Sequence, residues 1–145
     1  MICEKARKAR MHREFTPEEL KVSFWPSIEK FLAPKGRLIL VHDAQGRLVG
    51  CGTLQEIRPG VGELKRLYVR PEANGHGLGR KIVAARIDAA RQMGWQRLYV
   101  NAIIGNEDML RIYRKLGFEF VERFEGCSDP EEVADYFVYM TKSLA

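Results

Sequence analysis

The sequence predicts an α/β (α+β) fold: a mixed, twisted sheet of about six strands with helices on both faces. Three observations carry this reading. Three short β-type segments separated by turn signals lie between Arg37 and Arg70. A glycine-rich loop at 74–80 then opens a long amphipathic helix. After that helix, strand and helix patterns alternate to the end of the sequence.

The first segment, Arg37 to His42, is followed by Asp43-Ala44-Gln45-Gly46, a turn signal, and Arg47 to Leu54 returns as a second strand. Arg58-Pro59-Gly60 marks the next turn, and Glu63 to Arg70 is a third strand that Pro71 ends. From about Leu78 to Met93, the residues Leu78, Ile82, Val83, Ile87, Ala90 and Met93 form an apolar stripe, with Gly94 placed as the C′ residue. Trp95 to Ile103 is a fourth strand. Asn106 is placed to cap the next helix, with Glu107 and Asp108 in its first turn. Gly117-Phe118 fits a Schellman ending. Two strands follow, near 118–124 and 135–141, joined by Gly126–Glu131. The unit from Glu63 to Ile103 reads as a right-handed crossover between parallel strands.

Ahead of the strands, Thr16-Pro17-Glu18-Glu19 starts a helix carrying Leu20, Phe24, Ile28 and Phe31, which Pro26 splits or kinks. The basic stretch Lys5, Arg7, Lys8, Arg10 and Arg13 reads as a solvated face. The 145 residues suit a single domain, with 1–35 helical and 37–142 forming the core.

A hydrophobic fraction of 46% excludes a disordered chain. No apolar run approaches the ~20 residues of a membrane span, and no secretory signal stands at the start. Cys3, Cys51 and Cys127 are scattered and odd in number, so a cytoplasmic location without a disulfide framework is expected. His12, His42 and His76 are equally scattered, and no metal is expected. The net charge of +5 suits an anionic ligand, but without a reading motif it does not argue for nucleic acid.

The informative stretch is Asn74-Gly75-His76-Gly77-Leu78-Gly79-Arg80, three alternating glycines between a strand and a helix. Glycine lets backbone turn sharply and approach a ligand, and the free amides of a helix's first turn suit a pyrophosphate. A dinucleotide fingerprint would need glycine where Arg80 stands, and no P-loop sequence is present.

This loop resembles the signature of the GNAT superfamily of N-acetyltransferases, Arg/Gln-x-x-Gly-x-Gly/Ala at the start of a helix. Glu63 to Pro71 resembles the family's adjoining strand, and Ile112-Tyr113-Arg114-Lys115-Leu116-Gly117-Phe118 its later helix ending. The resemblance covers roughly residues 37 to 142. One departure is Asn74, where the family usually has Arg or Gln, so that no positive charge is brought to the pyrophosphate from that position. The resemblance implies a V-shaped split between central parallel strands, with acetyl-CoA as acyl donor. The backbone amides of Gly75, His76, Gly77, Leu78, Gly79 and Arg80 would hold the pyrophosphate. The backbone of Leu67, Tyr68 and Val69 would pair with the pantetheine, and Asn106 would touch it from the other side.

By the same resemblance Tyr113 is the acid that protonates the leaving thiolate, and a strand amide near Val69 is the oxyanion donor. Glu63 is the candidate base. It stands six residues before Val69, a spacing that resembles that of the family's glutamate-based members, and in a regular strand it shares the face of Leu67 and Val69. His76 reads as facing solvent or CoA phosphates, and Cys51 as a small core residue. The expected reaction is direct acetyl transfer to a primary amine on a small molecule or peptide, with the early helices on the acceptor side. A non-catalytic acyl-CoA-binding or regulatory module on the same scaffold is the alternative. The apolar run Tyr136 to Met140 would allow a homodimer through the C-terminal strands.

Overall fold

Asp43 closes the first hairpin. Its Oδ1 accepts from the amides of Gln45 and Arg47, both at 2.9 Å, and its backbone amide donates to the Arg47 carbonyl. The two strands it joins are β1 (Gly36–His42) and β2 (Leu48–Arg58), antiparallel to each other. The computed structural model describes Leu32 and residues 34–145. The expected helix from Thr16, its aromatic residues Phe24, Trp25 and Phe31, and the basic N-terminal stretch lie outside the described residues.

The chain continues through β3 (Val61–Val69), helix α1 (Leu78–Gln92), β4 (Arg97–Ile103), helix α2 (Glu107–Lys115), β5 (Glu119–Val121) and β6 (Phe137–Ser143). The strands form one six-stranded sheet in the order β1-β2-β3-β4-β6-β5. Only β3 and β4 are parallel, and α1 is their crossover. The mixed sheet is the one the sequence predicts.

Both described helices pack on one apolar cluster. Leu54, Leu64, Leu98, Val100 and Met140 of the sheet meet Val83, Ile87 and Ala90 of α1 and Tyr113 of α2. Burial of each large aliphatic side chain contributes about 1.5–3 kcal/mol. Both helices end as their glycines predict. The amides of Gly94 and Trp95 donate to the carbonyls of Arg91 and Ala90, and those of Gly117 and Phe118 to Arg114 and Tyr113.

Several boundaries differ from expectation. β2 runs on to Arg58 rather than stopping at Leu54, because Gln55, Glu56 and Arg58 still find partners on β3. β5 is only three residues long. Past Val121 the chain leaves the sheet edge so that Phe124 can stack on Tyr99, with centroids 4.4 Å apart, and meet Tyr139 edge-on. The segment 122–130 therefore lies over the sheet face opposite α1 and α2. Residues Glu131–Tyr136 form a 3₁₀ turn, which delays β6 to Phe137. β6 lies between β4 and β5, and Tyr139 and Met140 are buried. In the apolar run from 136 to 140, Phe137 and Val138 are half-buried and Tyr136 is exposed, and the sheet edge on that side is β5.

Candidate active site

Gly75 and Gly77 have φ of 86° and 72°, backbone that side-chain-bearing residues rarely adopt. A Cβ on either would meet nothing within 4 Å among the described residues. Backbone shape demands glycine here, and no described residue crowds the loop. Gly79 differs: it is helical, and its Cβ would make an ordinary contact 3.7 Å from Ile112 Cδ1.

Gly77 is the N-cap of α1 and supplies no side-chain cap. The first bond of the helix runs from the Lys81 amide to the Gly77 carbonyl at 3.1 Å. The amides of Leu78, Gly79 and Arg80 thus lack an acceptor within the helix, at the positive end of a 15-residue dipole. Asn74, His76 and Arg80 stand exposed around them. This geometry suits a polyanion.

The loop leads down into a gap in the sheet. β3 and β4 pair only from Val61/Arg97 to Leu64/Val100, yet they run on to Val69 and Ile103. Beyond Leu64 the edge of β3 facing β4 has no strand partner among the described residues, and an extended chain could fill that gap. A bulge sits where the gap opens. Thr53 faces Lys65, but Cys51 faces Tyr68, one residue further on than regular pairing allows. Arg66 takes up the slack with φ of 57°, the one described non-glycine residue in that region. Such backbone costs on the order of 1–3 kcal/mol and marks functional sites more often than chance.

The bulge corrects the expectation that Glu63 shares a face with Leu67 and Val69. An extra residue in a strand reverses the alternation beyond it. Leu67 packs against the apolar cluster under the helices, and Gly50, the partner of Val69, faces Leu78 and Ile82. Glu63 points the other way and is 0% exposed. Its Oε1 accepts from Gln55 Nε2 at 3.0 Å and Ser128 Oγ at 2.6 Å, and its Oε2 from the Ser128 amide at 3.2 Å. Lys65 Nζ stands 4.0 Å away and pairs with Asp129 at 2.6 Å. The carboxylate is held in a closed network under the segment 126–130.

Tyr113 lies on the helix side of the sheet and is 4% exposed. Burial pushes its phenol up from the ordinary value, and the charge of Arg86 pulls it back. Arg86 is a site residue that the sequence reading missed. It is 0% exposed, and its Nη1 donates to the carbonyls of Thr53 and Lys65, both at 3.1 Å, beside the bulge. Its Nε and Nη2 find no acceptor of good geometry among the described residues. Gly52 makes the room, since a Cβ there would lie 3.1 Å from Arg86 Nε and 2.7 Å from Ile82 Cγ2. The signal was available: Ile82, Arg86 and Ala90 follow at four-residue spacing along the apolar stripe.

Asn106 occupies the N-cap position of α2, as predicted, but its side chain makes no capping bond. On β4, just past the last residue paired with β3, Asn101 Nδ2 is buried without a partner among the described residues. Burial raises the thiol of Cys51, whose Sγ lies 3.6 Å from the Arg66 carbonyl. Among the described residues no group of three or more His, Cys, Asp or Glu could hold a metal, and no helix is long and apolar enough to cross a membrane.

Tyr113 and Glu63 thus lie on opposite faces of the sheet, near the opening of the gap between β3 and β4. Known proteins share this architecture. An acetyltransferase of the GNAT family from Staphylococcus aureus Mu50 superposes with a TM-score of 0.78 at 15% identity, over 97% of this chain and 88% of that one. Spermidine N-acetyltransferase from Vibrio cholerae, solved with CoA and spermine, gives 0.67 at 20% identity, over 97% and 83%. An uncharacterised N-acetyltransferase of Schizosaccharomyces pombe is 30% identical over 98 residues, 67% of this chain and 60% of its own length. This chain spans roughly half to three fifths of the length of the curated relatives it matches first. The sequence profile of the acetyltransferase (GNAT) family matches residues 5–118, and the chain belongs to that family.

Proposed function

We propose that this protein is an acyl-CoA-dependent N-acetyltransferase that moves an acetyl group from acetyl-CoA to a primary amine by direct attack in a ternary complex. The observation that carries the reading is the set of amides at Leu78, Gly79 and Arg80 that lack an acceptor within the helix, in a loop that opens onto the edge of β3 without a strand partner among the described residues. Those amides would take the pyrophosphate, with Asn74, His76 and Arg80 around it. The pantetheine would run along Leu67, Tyr68 and Val69 as an added strand, with Asn106 against its other side. A strand amide near Val69 would receive the oxyanion. Tyr113 would protonate the departing thiolate, and Glu63 would be the base that takes the amine's proton. The CoA and spermine bound to the Vibrio cholerae enzyme support a small-molecule polyamine or similar amine as acceptor.

Calorimetric titration with acetyl-CoA, against NADH as control, tests the donor. Saturable binding that Gly77→Val abolishes, followed by CoA release with an amine panel, is the expected result. No binding of acetyl-CoA would overturn the reading.

One observation favours a second reading. Glu63 already accepts three hydrogen bonds and has no exposed surface, as in a structural anchor. A non-catalytic acyl-CoA-binding module would bind acetyl-CoA yet release no CoA with any amine. For self-association, the β5 edge is the proposed surface, since Phe120 and Val121 are exposed there. Monomeric sedimentation at high concentration would refute that assignment.

A further inference from the structure

The base assignment leaves a physical problem. Glu63 is completely buried, and an amine nitrogen cannot reach its oxygens while the segment 126–130 covers them. A proton must therefore arrive through a group that touches both the carboxylate and the outside. Gln55 is buried, and an amide side chain is a poor proton carrier. Lys65 is committed to Asp129 at 2.6 Å, with its side chain 12% exposed. Ser128 is different. The residue is exposed, while its Oγ donates to Glu63 Oε1 at 2.6 Å, the shortest contact that carboxylate makes.

We propose that Ser128 is the proton relay of this site: its hydroxyl accepts a proton from the amine substrate on the open side and passes its own proton to Glu63. The proposal rests on the acetyltransferase reading and names the route that reading lacks. Serine carries the relay because a hydroxyl donates and accepts at once. The Ser128 amide, donating to Oε2 at 3.2 Å, fixes the residue so that its Oγ lone pairs turn away from the carboxylate.

The step balances. An ammonium substrate gives one proton to Ser128 Oγ as the hydroxyl's own proton moves to Glu63 Oε1. The amine lone pair then forms the C–N bond to the thioester carbon. Collapse of the tetrahedral adduct breaks the C–S bond, and the sulfur takes a proton from Tyr113. The nitrogen's second proton makes good the one that Tyr113 gave, and Glu63 returns its proton to solvent through Ser128.

Other charged and titratable groups surround the carboxylate. Lys65 lies beside it on β3, Tyr99 is its partner on β4, and Cys127 and Asp129 flank Ser128, with Arg66 close to Asp129. None of them both hydrogen-bonds Glu63 and reaches the outside.

The test is the pH dependence of kcat for Ser128→Ala and Ser128→Thr, beside wild type, with acetyl-CoA and an amine that turns over. Ser128→Ala is expected to lower kcat about a hundredfold with the KM for acetyl-CoA unchanged. Its rate should keep climbing with pH, as hydroxide replaces the relay. Ser128→Thr, which keeps a hydroxyl, should recover most of the rate and the wild-type profile. A Ser128→Ala enzyme with wild-type kcat at every pH would overturn the relay and leave the acetyltransferase reading intact. Equal loss in both variants, with the profile shape unchanged, would assign Ser128 to loop packing and also overturn it. Wild type that binds acetyl-CoA but turns over no amine would overturn both.

Discussion

The Phe118 amide donates to the Tyr113 carbonyl at 3.0 Å, and the two rings meet edge-on with centroids 5.4 Å apart. The residue that closes helix α2 is thus also the one that holds the proposed acid. Phe118→Ala should destabilise the protein by about 3–5 kcal/mol, because it opens a cavity under the helix end. Tyr113→Phe keeps the ring and the contact. It should melt near wild type and bind acetyl-CoA equally well, yet lose about a hundredfold in kcat. Denaturant unfolding and steady-state kinetics on the two variants separate the roles, and unchanged turnover in Tyr113→Phe would remove it as the acid.

The pH behaviour follows from the same burial. Desolvation raises Tyr113 above its ordinary value of 10.0, with Arg86 opposing. The folded state therefore holds this proton more tightly than the unfolded chain. Its contribution to stability is complete below about pH 10 and is lost as pH rises through the folded value. Thermal midpoints of wild type should fall more steeply above about pH 10 than those of Tyr113→Phe. Parallel curves would place the phenol in contact with solvent.

Arg86 gives a third expectation. Removing a guanidinium from water costs several kcal/mol, and no carboxylate pairs with it among the described residues. Arg86→Met relieves that cost while losing two hydrogen bonds, each worth about 1 kcal/mol. Its melting temperature should stay within a few degrees of wild type. Its kcat should fall, because the cation that eases ionisation of Tyr113 is gone. Full activity in Arg86→Met would reduce the residue to a clamp for the bulge.

Gly62 tests the packing of β3 on Trp95, in the turn after α1. A Cβ there would press on Cζ3 and Cε3 of the Trp95 ring, far closer than atoms can approach. Gly62→Ala should cost at least about 1–3 kcal/mol, or prevent folding. Gly46→Ala is not a fair control, because Gly46 has φ of 79°. Ala84→Gly on half-buried helix surface is a better one, expected to lose only about 1 kcal/mol. Equal melting of Gly62→Ala and wild type would contradict the Trp95 packing.

The sequence made local features legible. Asp43 and Gly46 close a hairpin, Gly94 and Gly117 end two helices, and Gly75 and Gly77 shape the loop, each through backbone chemistry within a few residues. The mixed sheet and the crossover followed from periodicity. The edges of β2, β5 and β6 did not, because their lengths depend on partners elsewhere, such as Tyr99 for Phe124.

By itself, the sequence determined where the two described helices begin and end and where glycine backbone turns into the first of them, since those depend on near neighbours. Only the tertiary structure decided which way Glu63 points, because a bulge at Arg66 reverses a strand whose alternation looks regular. It alone brought Ser128 to Glu63 across 65 positions, and only it buried Arg86 between α1 and the carbonyls of β2 and β3. Such contacts arise from the packing of distant segments, and no local pattern encodes their distances.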